Sequence, residues 1–238
     1  MVRKYVLSLA CLLFVVSTAD AQNSGPPKGT IDFNLYPYQH TLDDDTDFTM
    51  TTNAKLPGRF SYFSYMNFKG VLSGGSAFLV RSEQDLRYSL SDSSPLDLIM
   101  EGVLVKGDGN DFSQLGLGWR LHDTPGWQDF FDRIHLLYRV TFYLKRFGVE
   151  DTNAWAIKHW FKLTFPEKFD RMYLSGYINQ TFGQDLPESM PDNPVVSEVQ
   201  VGVRLWNRFY AIGEYRVNQY RIGDESNFAA GIEYKFRW

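Results

Sequence analysis

The amino-acid sequence predicts an all-β chain, a transmembrane antiparallel up-and-down β-barrel of twelve strands, from three observations. The first is an amino-terminal segment with the features of an export signal. The second is an alternation of apolar and polar residues that recurs over segments of 10 to 14 residues. The third is that no uninterrupted apolar run exceeds four residues after residue 21, whereas a spanning helix needs roughly 20. Together these patterns favour strands as the membrane-crossing elements.

The amino-terminal segment has the three parts of a cleavable signal peptide. Arg3 and Lys4 form a short positive head, and the apolar stretch Val6–Val16 follows it. Small residues then precede Gln22 in the positions that signal peptidase reads. We therefore predict a signal peptide over residues 1–21 and export of the mature chain.

The mature chain is expected to begin with a flexible leader over residues 22–28, and the barrel to occupy residues 29–238 of the cell outer membrane. Cleavage removes Cys11, the only cysteine, so the mature chain has no disulfide and no cysteine-ligated metal. The chain has 24 basic and 28 acidic side chains, a balance that argues against a nucleic-acid partner.

The last eight residues show the alternation most clearly, because apolar and aromatic side chains alternate with charged ones up to Trp238. Repetition of this pattern predicts strands over residues 29–39, 45–55, 59–69, 77–88, 95–106, 111–121, 133–146, 154–165, 170–181, 195–206, 208–220 and 227–238. Twelve is an even number, as bacterial barrels with both chain ends on one side require. Ten strands is the alternative, because the 77–88 segment alternates least regularly.

The connections between these strands fall into two groups. Tight ones, such as 56–58, 166–169 and 206–207, are expected on the periplasmic side, and longer acidic ones on the outside. The 122–132 connection contains Pro125-Gly126-Trp127 and an aromatic-acidic tail, so a short periplasmic helix is expected there.

If Trp238 faces lipid, the opposite face of each strand points into the lumen. Alternation alone then gives the candidate substrate-binding residues, which are Tyr143, Trp160, Tyr173, Tyr177, Tyr210, Tyr220, Arg139, Lys158, Lys162, Arg204, Glu214 and Arg216. Such a narrow polar lumen with aromatic rings suits a small solute that has a flat ring and hydroxyl groups. The alternative is that lumenal charges of both signs form salt bridges that stabilise or plug the barrel.

Catalysis is the alternative from another class of function. An outer-membrane lipid-modifying enzyme would need a histidine and a serine close together near the membrane. His159 lies between Ile157 and Phe161 on the expected lipid face, where an imidazole needs a partner. Ser175 falls on the other face, so no catalytic residue is assigned, and no spacing supports a metal or cofactor site.

Several segments also resemble those of one known family and follow the same order. They are Thr46–Thr49, Asn53–Lys55, Arg59–Tyr65, Ser94–Leu96, Gly116–Gly118, Phe161–Pro166, Leu174–Ile178 and Leu205–Tyr210. The family is that of the nucleoside-specific channel-forming porins (the Tsx type), and the resemblance covers about two thirds of the mature chain. It implies a monomeric twelve-stranded barrel whose narrow pore passes nucleosides by means of aromatic and ionisable lumenal side chains.

The sequence thus predicts a passive outer-membrane channel for small polar solutes, with nucleosides as the favoured substrate. A lipid-modifying enzyme and a structural barrel with a plugged lumen are the alternatives. The expected partners are outer-membrane lipid, the solutes themselves and the barrel-assembly machinery, which would recognise the last strand with its terminal Trp238.

Overall fold

A computed structural model of the chain describes residues 26–40, 46–72, 77–106, 111–148, 153–221 and 225–238. The predicted signal peptide and residues 22–25 of the predicted leader lie outside the described residues. Lys28, which the sequence assigns to the leader, is already the first residue of a strand.

The described residues form twelve strands and one short α-helix. In chain order these are β1 (Lys28–Gln39), β2 (Phe48–Lys55), β3 (Phe60–Lys69), β4 (Phe78–Ser89), β5 (Leu96–Val105), β6 (Phe112–Arg120), α1 (Gln128–Arg133), β7 (Leu136–Phe147), β8 (Trp155–Thr164), β9 (Met172–Phe182), β10 (Val195–Trp206), β11 (Phe209–Asn218) and β12 (Ser226–Arg237). The prediction of twelve strands is confirmed, and α1 confirms the helix expected in the 122–132 connection. Within the described ranges, no helix is long and apolar enough to span a membrane.

The strands form one closed antiparallel barrel, in which each strand pairs with its neighbours in sequence and β1 pairs with β12. At the β1–β12 seam, Thr30 lies opposite Arg237, and Gly29 and Trp238 exchange backbone hydrogen bonds of 3.2 and 3.3 Å. A Cβ at Gly29 would lie 2.4 Å from the Trp238 ring, so only glycine leaves room for the indole over the seam. Closure satisfies the edge N–H and C=O groups that an open sheet would expose.

The two ends of the barrel differ in their connections. We call one the turn end: it holds both ends of the sheet, and its connections are 56–59, 90–95, 121–135, 165–171 and 207–208. The shortest of these places Asn207 at φ 46°, in the left-handed region that asparagine tolerates better than most residues. The opposite loop end carries the connections 40–47, 70–77, 106–111, 148–154, 183–194 and 219–225. The tight connections thus share one end, as the sequence predicts.

Apolar side chains cover the outside of the barrel and polar side chains fill its inside, the opposite of the arrangement in a water-soluble barrel. On the outer surface, Leu144 is 72% exposed and Ile232 is 49% exposed. Inside, Glu214 is fully buried and Asp85 is 2% exposed. Exposed apolar surface is unfavourable in water but not in hydrocarbon. The distribution therefore indicates a lipid-facing exterior and a polar lumen.

Aromatic rings mark both rims of the exterior. At the turn end, Trp206 stacks on Phe209 with ring centroids 5.0 Å apart, and at the loop end Trp155 stacks on Phe182 at 4.1 Å. Trp and Tyr favour the membrane–water interface because they combine an apolar ring with a polar atom. The two rims therefore have the composition of interfacial girdles.

One outward-facing stretch on β3 and β4 is polar. The Tyr62 hydroxyl donates to Oε1 of Gln84 at 3.1 Å, and Nε2 of Gln84 donates to Oγ of Ser82 at 3.2 Å. A buried or lipid-facing amide is costly without partners. These hydrogen bonds lower that cost and make the patch compatible with lipid.

Replacing Val201 with arginine tests which face of β10 meets hydrocarbon. Val201 is 40% exposed at the middle of the strand, so the charge would enter the centre of the bilayer. We expect the free energy of unfolding in phospholipid vesicles to fall by about 2–4 kcal/mol, measured by urea titration. The matched change Glu188→Arg, in the exposed 183–194 connection, should leave it within about 0.5 kcal/mol. Equal stability of the two variants would contradict a lipid-facing β10.

Candidate functional site: the barrel lumen

The candidate site is the lumen, and the structure places almost every predicted lumenal residue there. The inward-facing residues are Arg139 and Tyr143 on β7, Lys158, Trp160 and Lys162 on β8, Tyr173 and Tyr177 on β9, Arg204 on β10, and Tyr210, Glu214 and Arg216 on β11. Each shares its face with fully buried neighbours such as Thr141, Ala156 and Gln200. The face assignment of these strands from the sequence is therefore correct, while their role in binding stays a prediction.

Tyr220 is the exception, because the sequence predicts it within a strand over residues 208–220, whereas β11 ends before it. β11 ends at Asn218, whose Oδ1 accepts a hydrogen bond of 3.1 Å from the Tyr220 backbone N–H. Asparagine often ends a strand by such a local turn. The Tyr220 hydroxyl donates instead to Gln184 in the 183–194 connection. Tyr220 is thus a loop-end residue and does not belong to the strand wall.

Side chains from opposite walls meet across the lumen. The Tyr65 hydroxyl on β3 donates to Oε2 of Glu198 on β10 at 2.6 Å. The Tyr65 ring also meets the Tyr177 ring of β9 edge-on, with centroids 6.3 Å apart. β3 and β9 are separated by five strands in either direction around the barrel, so these contacts span its full width. We call Tyr65, Tyr177 and Glu198 the waist.

The waist lies between two sides of the lumen, which we call lobes. The seam lobe lies on the side of β1, β2, β11 and β12, and the far lobe on the side of β4 to β8. The cavity at mid-height is lined from both lobes, by Asn34 and Glu233 on one side and by Glu83 on the other, so the waist narrows the lumen and the two lobes remain connected.

Polar side chains of three strands tie the seam lobe together. The Tyr36 hydroxyl of β1 donates to Glu214 of β11, which also accepts from Arg216. Nδ2 of Asn34 donates to Oε1 of Gln200 on β10 at 2.9 Å, and the Arg216 guanidinium lies 4.6 Å from the centre of the Tyr36 ring. A buried carboxylate is tolerated only when it is paired and hydrogen-bonded in this way.

Closer to the turn end, the seam lobe has an aromatic wall with charges beside it. The Tyr173 hydroxyl donates to Oε2 of Glu233 at 2.7 Å, and Nζ of Lys235 lies 3.0 Å from the same carboxylate. Nζ of Lys235 also lies 3.9 Å from the centre of the Tyr173 ring and 4.8 Å from that of Tyr210. Rings, an ammonium and a carboxylate thus face one part of the lumen.

The far lobe is crossed by a single lysine. Nζ of Lys158 on β8 lies 2.7 Å from Oε2 of Glu83 on β4 and 3.0 Å from Oε1 of Glu101 on β5. Arg81 pairs with Glu83 at 2.8 Å, and Gln114 donates to Glu101. Lys158 therefore joins strands that are three and four positions apart around the barrel.

These ties leave little free space at mid-height. The cavity among the waist and the ties measures about 120 Å³, about the volume of four liquid water molecules. At the turn end the lumen widens into a cavity of about 870 Å³, which we call the vestibule. Movement of a solute through the barrel therefore requires the mid-lumen side chains to shift.

Glycines opposite tyrosines allow the rings to lie flat against the wall. Gly202 of β10 is the register partner of Tyr173, and a Cβ there would lie 2.1 Å from the Tyr173 ring. Gly116 stands in the same relation to Tyr143, at 2.8 Å. The bare backbone of glycine is therefore what gives these rings their position.

Replacing Gly202 with alanine should displace the Tyr173 ring and break its hydrogen bond to Glu233. We expect a loss of about 1–3 kcal/mol in the free energy of unfolding, the usual result of overpacking. Gly102 of β5 is the matched control, because a Cβ there meets nothing within 4 Å. Urea unfolding of both variants in vesicles checks this, and an equal effect of G102A and G202A would contradict it.

His159 faces outward on β8, as the sequence predicts, and its partner is a tyrosine. Its Nδ1 lies 2.8 Å from the Tyr138 hydroxyl. Ser175 lies on the opposite, lumenal face of β9. In the part of the chain that the structure describes, no group of three His, Cys, Asp or Glu side chains is placed to hold a metal ion. The hydrogen bond to Tyr138 thus explains how lipid tolerates an imidazole at this position.

Sequence reasoning missed the lumenal residues of the first three strands, above all Tyr36 and Tyr65. On β3 the run from Phe60 to Tyr65 alternates aromatic residues with serine at irregular spacing, so neither face is distinctly apolar. On β1, Tyr36 follows the inward-facing Asp32 and Asn34 at the same two-residue spacing, and the register shift between Leu35 and Tyr38 turns only Tyr38 outward. Alternation along β1 is therefore the signal that would have found Tyr36.

No family model matches the chain, and no curated protein matches it. Among solved structures it is similar to KdgM porin, at 11% identity and a TM-score of 0.49, over 88% of this chain and 99% of that chain. It is also similar to KdgM porin in complex with disordered oligogalacturonate, at 11% identity and a TM-score of 0.48, over 88% of this chain and 99% of that chain. A triple mutant of Rhodopseudomonas blastica porin is similar at 8% identity and a TM-score of 0.41, over 89% of this chain and 99% of that chain. These neighbours are porins, whereas none of the three is described as nucleoside-specific.

Proposed function

We propose that the chain is a passive outer-membrane channel for small polar solutes. The observation that carries the proposal is the reversed distribution of side chains in a closed barrel, with carboxylates such as Glu214 inside and residues such as Leu144 outside. In a lipid bilayer the apolar outer face contacts hydrocarbon and the polar face lines the lumen. Closure of the barrel lets the strands pair their backbone groups within the sheet, as lipid requires. If the purified mature chain stayed folded and dispersed in buffer without detergent, the proposal would fail.

Nucleosides are the solutes that the resemblance to Tsx-type porins favours, and the aromatic wall of the seam lobe supports this choice. The Tyr173 and Tyr210 rings offer a face for stacking on a flat base, while Glu233 and Lys235 offer an acceptor and a donor for hydroxyl groups. Each contact has to be weak enough for release, as in any conducting pore.

Liposome swelling tests the solute, and planar-bilayer recording tests the pore. We expect vesicles containing the refolded protein to swell faster with nucleosides than with sugars or amino acids of similar size. Equal swelling rates for all three classes would contradict nucleoside specificity but not the channel function. Recordings without any conductance steps would remove the channel itself.

A structural barrel with a plugged lumen is the second candidate. It is supported by the waist and by the Lys158 ties, which leave about 120 Å³ at mid-height. The same recordings separate the two functions, because a plugged barrel has no conductance.

A lipid-modifying enzyme is distinguished by replacing His159 with alanine. A channel should keep its conductance after this change, whereas an enzyme should lose turnover on phospholipid vesicles. We further propose a monomer in the cell outer membrane, whose last strand, ending at Trp238, is the segment that the barrel-assembly machinery recognises.

A further inference from the structure

The vestibule at the turn end is strongly basic. Among the residues that line its cavity of about 870 Å³, seven are Lys or Arg and two are Asp. They come from the lumenal ends of several strands and from the short connections around them. A concave surface lined by one sign of charge concentrates counter-ions, because its low-dielectric walls focus the field.

Two pairs of like charges face each other directly across neighbouring strands. Lys28 of β1 is the register partner of Lys55 of β2, and Arg120 of β6 is the partner of Arg139 of β7. Like charges at directly opposite positions destabilise a sheet. The two arginines share the carboxylate of Asp97, whereas in the described residues no carboxylate lies between the two lysines. The uncompensated lysine pair indicates that its positive charge serves a ligand, since pairing of the strands would be better without it.

The nearby carboxylates balance only part of this charge. Arg120 pairs with Asp97 and with Asp123, and Arg87 pairs with Asp85 at 2.6 Å. These acids lie against the wall and hold the arginines in place. Their positive partners on β6 and β4 are therefore largely neutralised.

Three of the other cations are not neutralised in this way by the residues that the structure describes. Within the described ranges, no carboxylate lies within 4.0 Å of Lys28, Lys55 or Arg237. Arg139 approaches Asp97 only to 3.7 Å, and its buried Nε has no hydrogen-bond partner. Three unpaired cations on β1, β2 and β12 thus line one open cavity.

We infer that the vestibule binds a small anionic solute, one that carries a carboxylate or phosphate group. Guanidinium and ammonium groups form charge-assisted hydrogen bonds with the oxygens of carboxylate and phosphate groups. Bound there, the anion would lie among Lys28, Lys55 and Arg237 and offset the repulsion between the two lysines. Binding itself does not need an open pore, whereas a role in selecting solutes rests on the proposed channel function.

Titration calorimetry of the refolded full chain in detergent, with inorganic phosphate as the probe, tests the site. We expect binding that weakens with added potassium chloride, because the vestibule is open and its field is screened. The triple variant Lys28→Gln, Lys55→Gln, Arg237→Gln should lower phosphate affinity by about tenfold or more. A second titration with tricarballylate distinguishes a carboxylate from a phosphate preference.

The matched control removes three cations from the same end of the barrel outside the vestibule: Lys168→Gln, Arg171→Gln, Arg208→Gln. It should keep the phosphate affinity of the unmodified chain, and circular dichroism checks that both variants are folded. Failure of the unmodified chain to bind either anion, or an equal loss in both triple variants, would overturn the inference.

Bilayer recordings separate this inference from the proposed channel. In a potassium chloride gradient, the reversal potential should show a preference for chloride that falls in the vestibule variant and persists in the control. Conductance without anion binding would leave the channel and overturn the vestibule site. Anion binding without conductance would support the vestibule site and contradict the channel function.

Discussion

Replacement of Tyr65 with alanine is expected to widen the lumen at its narrowest level. The change removes both the ring that meets Tyr177 and the hydroxyl that donates to Glu198 across the barrel. Because conductance follows the cross-section of the narrowest part, we expect the single-channel conductance to rise by about twofold or more. Planar-bilayer recording of the refolded variant measures it.

Two further variants show which part of Tyr65 closes the waist. Tyr65→Phe keeps the ring and loses only the hydrogen bond to Glu198, so its conductance should lie between those of the unmodified chain and Tyr65→Ala. Tyr215→Ala removes a tyrosine that is 50% exposed on the outer face of β11, and should change nothing. An unchanged conductance in Tyr65→Ala would show that the waist does not limit the pore.

Replacement of Lys158 with methionine is expected to have the largest effect on stability. Glu83 and Glu101, 4% and 2% exposed, would lose the ammonium that lies between them. Removing one partner of a buried ion pair costs about 3–5 kcal/mol, because the other charge stays buried. Urea unfolding in phospholipid vesicles should show a loss of that size, and the lumen should become more cation-selective.

The carboxylates themselves provide the control for Lys158. Adding Glu83→Gln and Glu101→Gln to Lys158→Met removes the uncompensated charge, so most of the stability should return. Lys145→Met, at an exposed position of β7, tests the substitution itself and should be nearly neutral. If the triple variant were no more stable than Lys158→Met alone, packing rather than charge would explain the loss.

The sequence predicts the walls of the barrel well because alternation is a local property. On β12 the apolar and charged residues alternate without interruption from Ile232 to Trp238, and Glu233 and Lys235 lie in the lumen, on the face opposite that of Trp238. On β7 the same rule fails near the loop end. The register shifts opposite Leu115 and Gly116, so Arg146 is buried and Lys145 is exposed, the reverse of the expected order. A bulge inserts one residue and reverses the phase of every residue beyond it.

Contacts across the lumen are a different kind of information. Alternation shows that Tyr65 and Glu198 both point inward, but these residues are 133 positions apart in the sequence. Whether their side chains meet depends on strand tilt, bulges and the cross-section of the closed barrel, which no local pattern contains. For the same reason the sequence could not show that Lys158 crosses the far lobe.

The ties between opposite walls also bear on how the barrel comes apart. Tyr65 and Glu198 are 133 residues apart, and Lys158 and Glu83 are 75 apart, so each tie joins hairpins that are remote in the chain. Extracting a single hairpin from the bilayer would therefore open the sheet and also leave charged groups on the opposite wall without their partners. Intermediates that lack one hairpin are penalised twice, and unfolding is correspondingly cooperative, with all twelve strands lost in one transition.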